Sequence, residues 1–156
     1  WHTELGLSFG GYKTLNIRTT EIFNGTTWST NVSMNLQIGR RELAGGYTKL
    51  GLSFGGYPNL SNTEKFDGTV WSNTGNLITG RSDLAGGYTE LGLSFGGYNG
   101  STGINNTEEY DGTVWSNTGN LITGREKLAG CGTQIRVYPL VDSEVALVYL
   151  TQQKNI

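Results

Sequence analysis

The chain has very few of the residues from which disulfides, metal sites and histidine-based active sites are built. Its 156 residues include one cysteine, Cys131, and one histidine, His2. A single cysteine excludes an internal disulfide, and one Cys with one His falls short of a zinc site. A Ser-His-Asp triad would have to use His2 at the chain end, which argues against one. We therefore expect no catalytic residues, no metal and no cofactor.

Charge and long apolar runs are also scarce. Charged residues make up 15% of the chain and the net charge is −2, which gives no electrostatic basis for binding nucleic acid or an anionic membrane. No apolar run approaches the roughly 20 residues that cross a bilayer. We expect a soluble protein with no nucleic-acid partner and no membrane insertion.

Glycine is abundant where proline is rare, at 25 residues against two. Gly, Asn and Asp interrupt the sequence about every 8–12 residues, as they do in folds made of many short strands. The segment LGLSF at 91–95 alternates apolar with small residues, which is the period of a strand with one packed face. The sequence thus predicts an all-β fold.

A repeat organises the chain. The string LGLSFGGY begins at residues 5, 50 and 91, and the tryptophans Trp28, Trp71 and Trp115 follow the same period of about 44 residues. We expect these tryptophans, with Phe9, Phe54 and Phe95, to pack between repeats. The sequence of the repeat that begins near residue 81 predicts four strands, near 81–88, 90–98, 107–111 and 113–117.

One stretch is duplicated without change. DGTVWSNTGNLITGR occupies residues 67–81 and again 111–125. Neighbouring repeats pack through equivalent surfaces, so one good packing solution serves at each position. The identity favours a duplicated packing unit over one asymmetric catalytic centre.

The unit resembles the kelch repeat, over about 130 residues. The resemblance rests on the glycine pairs at 10–11, 55–56 and 96–97, an aromatic-Asp/Asn-Gly turn, the Trp and the Arg after it. It implies that each unit is a four-stranded antiparallel blade of a β-propeller, although the first strand reads LAGGY where the family has a hydrophobic run. A looser resemblance, to kelch-like repeats in structural proteins of tailed and marine viruses, implies an extracellular or virion-associated location.

The predicted organisation is about three blades followed by an extension. We divide residues 1–134 into units near 1–40, 41–80 and 81–124 and the first strand of a further unit at 125–134; residues 135–156 form a C-terminal β extension. Propellers usually have 4–8 blades. We therefore expect another chain to complete the ring, with 125–134 joining the three strands of the first repeat and two copies making six blades. The alternative is part of a larger propeller or an open stack.

Two sets of side chains and one segment are candidates for contacts with partners. In kelch proteins that bind acidic peptides, the Arg before the first strand lines the binding face, and the resemblance places Arg41, Arg81 and Arg125 there; the alternative is a structural salt bridge. Three tyrosines follow the glycine pairs and suit surface contacts or packing: Tyr12, Tyr57 and Tyr98. The apolar segment with Val145, Leu147 and Tyr149 is the expected assembly strand, unless it caps this chain's own sheet.

Together these features predict a non-enzymatic kelch propeller that serves interaction or structural assembly, as a homo-oligomer or within a larger assembly. The alternative is a glycan-binding β-propeller lectin with one shallow site per blade, so the partner is a protein or a glycan.

Overall fold

The computed structural model describes residues 6–30, 32–46, 51–87 and 92–130. Its elements are eleven short strands and one turn of 3₁₀-helix. In chain order they are β1 (Gly6–Phe9), β2 (Thr20–Phe23), β3 (Trp28–Thr30), the 3₁₀ turn (Val32–Met34), β4 (Ala44–Gly46), β5 (Gly51–Phe54), β6 (Thr63–Phe66), β7 (Trp71–Asn73), β8 (Ala85–Gly87), β9 (Gly92–Phe95), β10 (Thr107–Tyr110) and β11 (Trp115–Asn117).

The strands form three antiparallel sheets in which sequence neighbours pair. β1–β3 form a three-stranded sheet, and β4–β7 and β8–β11 form four-stranded sheets. We call these the first, second and third units. The all-β class and the repeated antiparallel unit predicted from the sequence are confirmed. β10 and β11 lie within the predicted strands 107–111 and 113–117. β8 begins later than predicted and β9 ends earlier, and residues 88–91 between them lie outside the described ranges.

The last two strands of each unit are joined by the same kind of turn. In the second unit, the Asp67 carboxylate accepts the backbone N–H groups of Thr69 and Val70 at 2.8 and 2.9 Å, and Gly68 has a φ of 97°. An Asp side chain that mimics a backbone turn, followed by a left-handed glycine, is a common hairpin connection. The turn sets Phe66 directly opposite Trp71 on the neighbouring strand.

The glycine pair after each second strand is required by the backbone. Gly55 and Gly56 have φ values of 67° and 114°, in the left-handed region that favours glycine. The Gly56 N–H donates to the carbonyl of Arg81 at 2.9 Å. The pair thereby fixes the backbone of the linker that leads to the next unit.

The apolar core lies between successive units. Leu36, Phe66 and Trp71 form one buried cluster, against which Leu7, Phe9 and Met34 pack. The second cluster contains Ala44, Leu52, Phe54, Leu77, Leu84, Tyr110 and Trp115. A three- or four-stranded sheet cannot bury its own apolar face, so each unit depends on its neighbour.

The last predicted segments are only partly described. Residues 125–130, the start of the predicted strand 125–134, contain no strand. The rest of that segment, the extension 135–156 and the predicted assembly residues Val145, Leu147 and Tyr149 lie outside the described residues. In the part that is described, no helix is long and apolar enough to cross a membrane.

Candidate functional site

The contact between successive units is the most specific arrangement in the molecule, and it occurs twice. The first junction joins the first and second units, and the second junction joins the second and third. At each junction, the earlier unit contributes its tail face, formed by the two strands before its last strand and by the linker after its last strand. The later unit contributes its head face, formed by its last two strands.

An arginine in the linker ties the two units together at the first junction. The Arg40 carbonyl accepts the Gly11 N–H of the first unit at 2.8 Å. Its guanidinium reaches the second unit, where Nη2 pairs with Glu64 Oε1 at 2.5 Å. Nη1 donates to the carbonyls of Gly55 and Asn62 at 3.2 and 2.8 Å. One side chain thus cross-links two sheets.

The partner carboxylate is satisfied by more than the arginine. Glu64 accepts the backbone N–H groups of Gln37 and Ile38, at 2.6 and 3.1 Å, from the same linker. Both Arg40 and Glu64 are fully buried. A buried ion pair is tolerated only when its remaining hydrogen-bonding groups are also satisfied, and this pair meets that condition.

The second junction repeats the network. Arg81 and Glu108 form a fully buried ion pair, and Glu108 accepts the N–H groups of Ile78 and Thr79 at 2.7 and 3.1 Å. Arg81 Nη1 donates to the carbonyls of Gly96 and Asn106 at 3.1 and 2.8 Å.

Burial lowers the pKa of Arg40 and of Arg81, and the adjacent glutamate opposes that effect. A guanidinium keeps its charge even so, because its ordinary pKa lies far above neutrality. The pairs therefore hold permanent charges between the sheets and act as structural cross-links.

A tryptophan makes the second repeated contact across each junction. Trp71 Nε1 donates to Thr20 Oγ1, and Trp115 Nε1 donates to Thr63 Oγ1, both at 2.9 Å. The same rings meet Phe9 and Phe54 edge-on, with centroids 4.8 Å apart. The expected packing of Trp and Phe between units is therefore observed at both junctions.

Trp28 is the exception among the three repeated tryptophans. It is 52% exposed, against 1% for Trp71 and 5% for Trp115. Its ring packs against Phe23 of the same unit, with the two ring centroids 5.2 Å apart. Its position on the head face of the first unit leaves it without a preceding tail face among the described residues.

The structure changes the register of the arginines predicted from the sequence. Arg40, and not Arg41, occupies the place of Arg81, because both lie three residues before the Leu-Ala-Gly motif and both pair with a glutamate. Arg81 is buried and fully engaged, so its guanidinium does not line an open face. Arg125 is exposed.

Arg41 belongs to a different cluster, with two of the predicted tyrosines. Its guanidinium carbon lies 4.6 Å from the centroid of the Tyr12 ring and 4.0 Å from that of Tyr57. Both tyrosines are exposed, whereas Tyr98 is partly buried and exchanges backbone hydrogen bonds with Ser82. Ser82 stands where Arg41 does, so the Arg–Tyr stack is not repeated at the next unit.

The glutamate partners are the part of the site that sequence reasoning missed. The acids Glu21, Glu64 and Glu108 recur with the repeat, but the repeat pattern alone assigns them no binding partner. The sequence did contain a signal for this pairing. Glu64 follows Arg40, and Glu108 follows Arg81, at a similar spacing along the chain.

No cluster of three or more His, Cys, Asp or Glu side chains that could hold a metal ion occurs within the described ranges. His2 and Cys131 lie outside them. No protein-family model matches the chain, and a search of the curated proteins found no similar sequence.

Proposed function

We propose that the chain is a non-enzymatic, kelch-type β-propeller subunit that serves structural assembly with other copies of itself. One observation carries the proposal. The same Arg–Glu and Trp–Thr contact joins successive units at both junctions, and it uses the most deeply buried charged side chains. The repeated residues are committed to joining sheets rather than to lining a cleft.

The edge strands support completion by a further chain. Within the described residues the first unit has three strands where the others have four, and β1 forms one edge of its sheet. In the complete units, the strand beside the equivalent edge carries the Leu-Ala-Gly motif, which recurs at 128–130 without a strand partner. An unpaired edge in a glycine-rich β protein favours pairing with another chain. Two copies that share strands would make six blades, within the usual range.

The test is the mass of the protein in solution, by light scattering across a hundredfold dilution. A dimer that persists over this range supports six blades shared between two chains, and larger assemblies support a filament or particle subunit. A folded monomer at every concentration would contradict the assembly function.

Glycan binding remains the alternative function, and the exposed cluster of Tyr12, Arg41 and Tyr57 is the observation that favours it. Exposed aromatic faces can stack on sugars, and an adjacent Arg can bind their hydroxyl or carboxylate groups. A glycan array with the wild type and with Tyr57→Ala tests this function. Saturable binding lost in the variant would support a lectin, with one site at this cluster rather than one per unit.

A further inference from the structure

The tail face of the third unit carries the full set of contact residues but has no unit against it in the described part of the chain. Phe95, Thr107 and Arg125 occupy the places that Phe54, Thr63 and Arg81 occupy in the second unit. The Arg125 carbonyl accepts the Gly97 N–H at 2.9 Å, just as Arg81 accepts from Gly56. The linker backbone therefore makes the same hydrogen bonds as in the second unit, and the Arg125 side chain is exposed.

The same linker presents two backbone N–H groups that correspond to the carboxylate-binding pair of the second unit. In the second unit, the N–H groups of Ile78 and Thr79 bind Glu108 beside Arg81. Ile122 and Thr123 are their counterparts in the duplicated stretch. Both are exposed, and neither N–H group has a hydrogen-bond partner among the described residues. Two N–H donors beside an arginine are suited to a carboxylate.

Gly119, in the same duplicated stretch, marks where a neighbouring backbone would approach this face. Its counterpart Gly75 donates its N–H to the Thr113 carbonyl of the next unit at 3.1 Å. A Cβ on Gly75 would collide with that carbonyl, whereas a Cβ on Gly119 would meet nothing within 4 Å. At Gly75 the backbone of the next unit leaves no room for a side chain, whereas the same position in the third unit, Gly119, is open among the described residues.

The head face of the first unit carries the complementary half. Glu21 stands at the position of Glu64 and Glu108, and Trp28 at that of Trp71 and Trp115. Neither the Glu21 carboxylate nor the Trp28 indole N–H has a partner among the described residues, and Trp28 is half exposed. In the repeated contact an arginine donates to a glutamate. Its counterparts that are unpartnered among the described residues, Arg125 and Glu21, therefore lie at opposite ends of the row of units.

We propose that the tail face of the third unit binds the head face of the first unit in a second copy of this chain. Arg125 and the N–H groups of Ile122 and Thr123 bind Glu21 of the second copy. Trp28 of that copy packs on Phe95 and donates its N–H to Thr107 Oγ1. The inference rests on the proposed assembly function and specifies the surface through which it operates.

The tail face of the third unit and the head face of the first unit are complementary, which favours a second copy of this chain as the binding partner. Arg125 on the tail face matches Glu21 on the head face in charge, and the Trp28 indole matches the Thr107 hydroxyl. Segment 128–130 matches β1, an edge strand among the described residues. The contact is heterologous, since two different surfaces meet, so copies join head to tail into a closed ring or a filament.

A pair of complementary variants tests this directionality. Trp28→Ala removes the head contact, and Arg125→Ala removes the tail contact; both side chains are exposed in the single chain, so each variant should fold. Each alone should self-associate at least about 20-fold more weakly than wild type, the loss expected for an interface hot spot. An equimolar mixture should form a one-to-one heterodimer, because each variant keeps the face that the other lacks.

The mixture is read by native mass spectrometry, with Lys65→Ala, an exposed charge away from both faces, as the matched control. Heterodimer formation also shows that both variants are folded. If the wild type assembles but both variants assemble equally well, the head-to-tail contact is wrong while the assembly function stands. If the variants are monomeric and their mixture is too, the contact is not heterologous. A monomeric wild type overturns both proposals.

Discussion

At the scale of single residues, the turn between the last two strands of each unit keeps one geometry with different side chains. Asp67 and Asp111 accept two backbone N–H groups each. Asn24 makes the same two bonds through its amide oxygen, at 3.0 Å. The turn needs an acceptor oxygen at this position, and the charge is an addition that two of the three units carry.

That charge makes the two turns sensitive to acid. Hydrogen bonds from Val70 and Thr69 lower the pKa of Asp67, and those from Val114 and Thr113 lower the pKa of Asp111. Because the folded pKa lies below the unfolded value, the stabilisation is complete above about pH 4 and is lost as the pH falls through the folded pKa.

We predict that Asp67→Asn with Asp111→Asn weakens the acid dependence of stability. An Asn side chain can accept the same two turn hydrogen bonds, as Asn24 does, but it is not protonated as the pH falls from 7 to 3. Urea unfolding at pH 7 and pH 3 should give the double variant a smaller loss of unfolding free energy than the wild type. An equal loss in both proteins would contradict the role assigned to these carboxylates.

The duplicated stretch provides a matched pair of arginines. Arg81→Met leaves Glu108 buried without its cation, and breaking a buried pair costs about 3–5 kcal/mol. Arg125→Met changes an exposed side chain in the same local sequence, so we expect a change within about 0.5 kcal/mol for the monomer. Denaturant unfolding of dilute protein measures both. Equal losses would mean that the arginines stabilise their own unit and not the junction.

At the scale of elements, the junction and not the individual sheet is where the structure becomes crowded. Gly75 lies against the backbone of Thr113 and Val114, and Gly86 lies against the carbonyl of Gly45. Backbone cannot move aside as a side chain can. These glycines are needed for the close approach of neighbouring units rather than for a special φ.

Gly75 and Gly119 form a second matched pair. We predict that Gly75→Ala destabilises the chain by about 1–3 kcal/mol, the range for overpacking, because the added methyl collides with Thr113 of the next unit. Gly119→Ala should leave the monomer within about 0.5 kcal/mol of wild type, or slightly more stable through a less flexible unfolded chain. Thermal unfolding of dilute samples distinguishes them, and a loss at both positions would contradict the account.

Much of the fold could be predicted from the sequence because its signals are local. The alternation in LGLSF, the Asp-Gly turn and the repeat period located the strands of each unit, and β10 and β11 were predicted closely. β8 begins later and β9 ends earlier than predicted, since Ser82 and Tyr98 pair only through isolated bridges near the junction.

The site was harder to predict because its contacts span two units. Arg40 and Arg41 are adjacent, and the sequence pattern selected Arg41. Only the structure shows that Arg40 reaches Glu64, whereas Arg41 lies between Tyr12 and Tyr57. The burial of Trp71 and the exposure of Trp28 also depend on a neighbour that local sequence does not reveal.

At the scale of the whole molecule, the described chain is a row of three similar units joined by two equivalent junctions. In such proteins, stability is approximately a sum of unit and nearest-neighbour terms. Among the described residues, the first and last units each contact one neighbouring unit, so a contact between them in two copies would add stability without any new type of interaction.

The central claim is that the contact seen twice within the chain also joins two chains. Tryptophan fluorescence tests it directly, because Trp28 is 52% exposed in the single chain and would be covered in the assembly. Emission is recorded across the concentration range in which the mass increases, with Trp28→Phe as the control for the other tryptophans. We predict a blue shift on assembly in the wild type that is absent in Trp28→Phe. Assembly of the wild type with no such shift would contradict the claim.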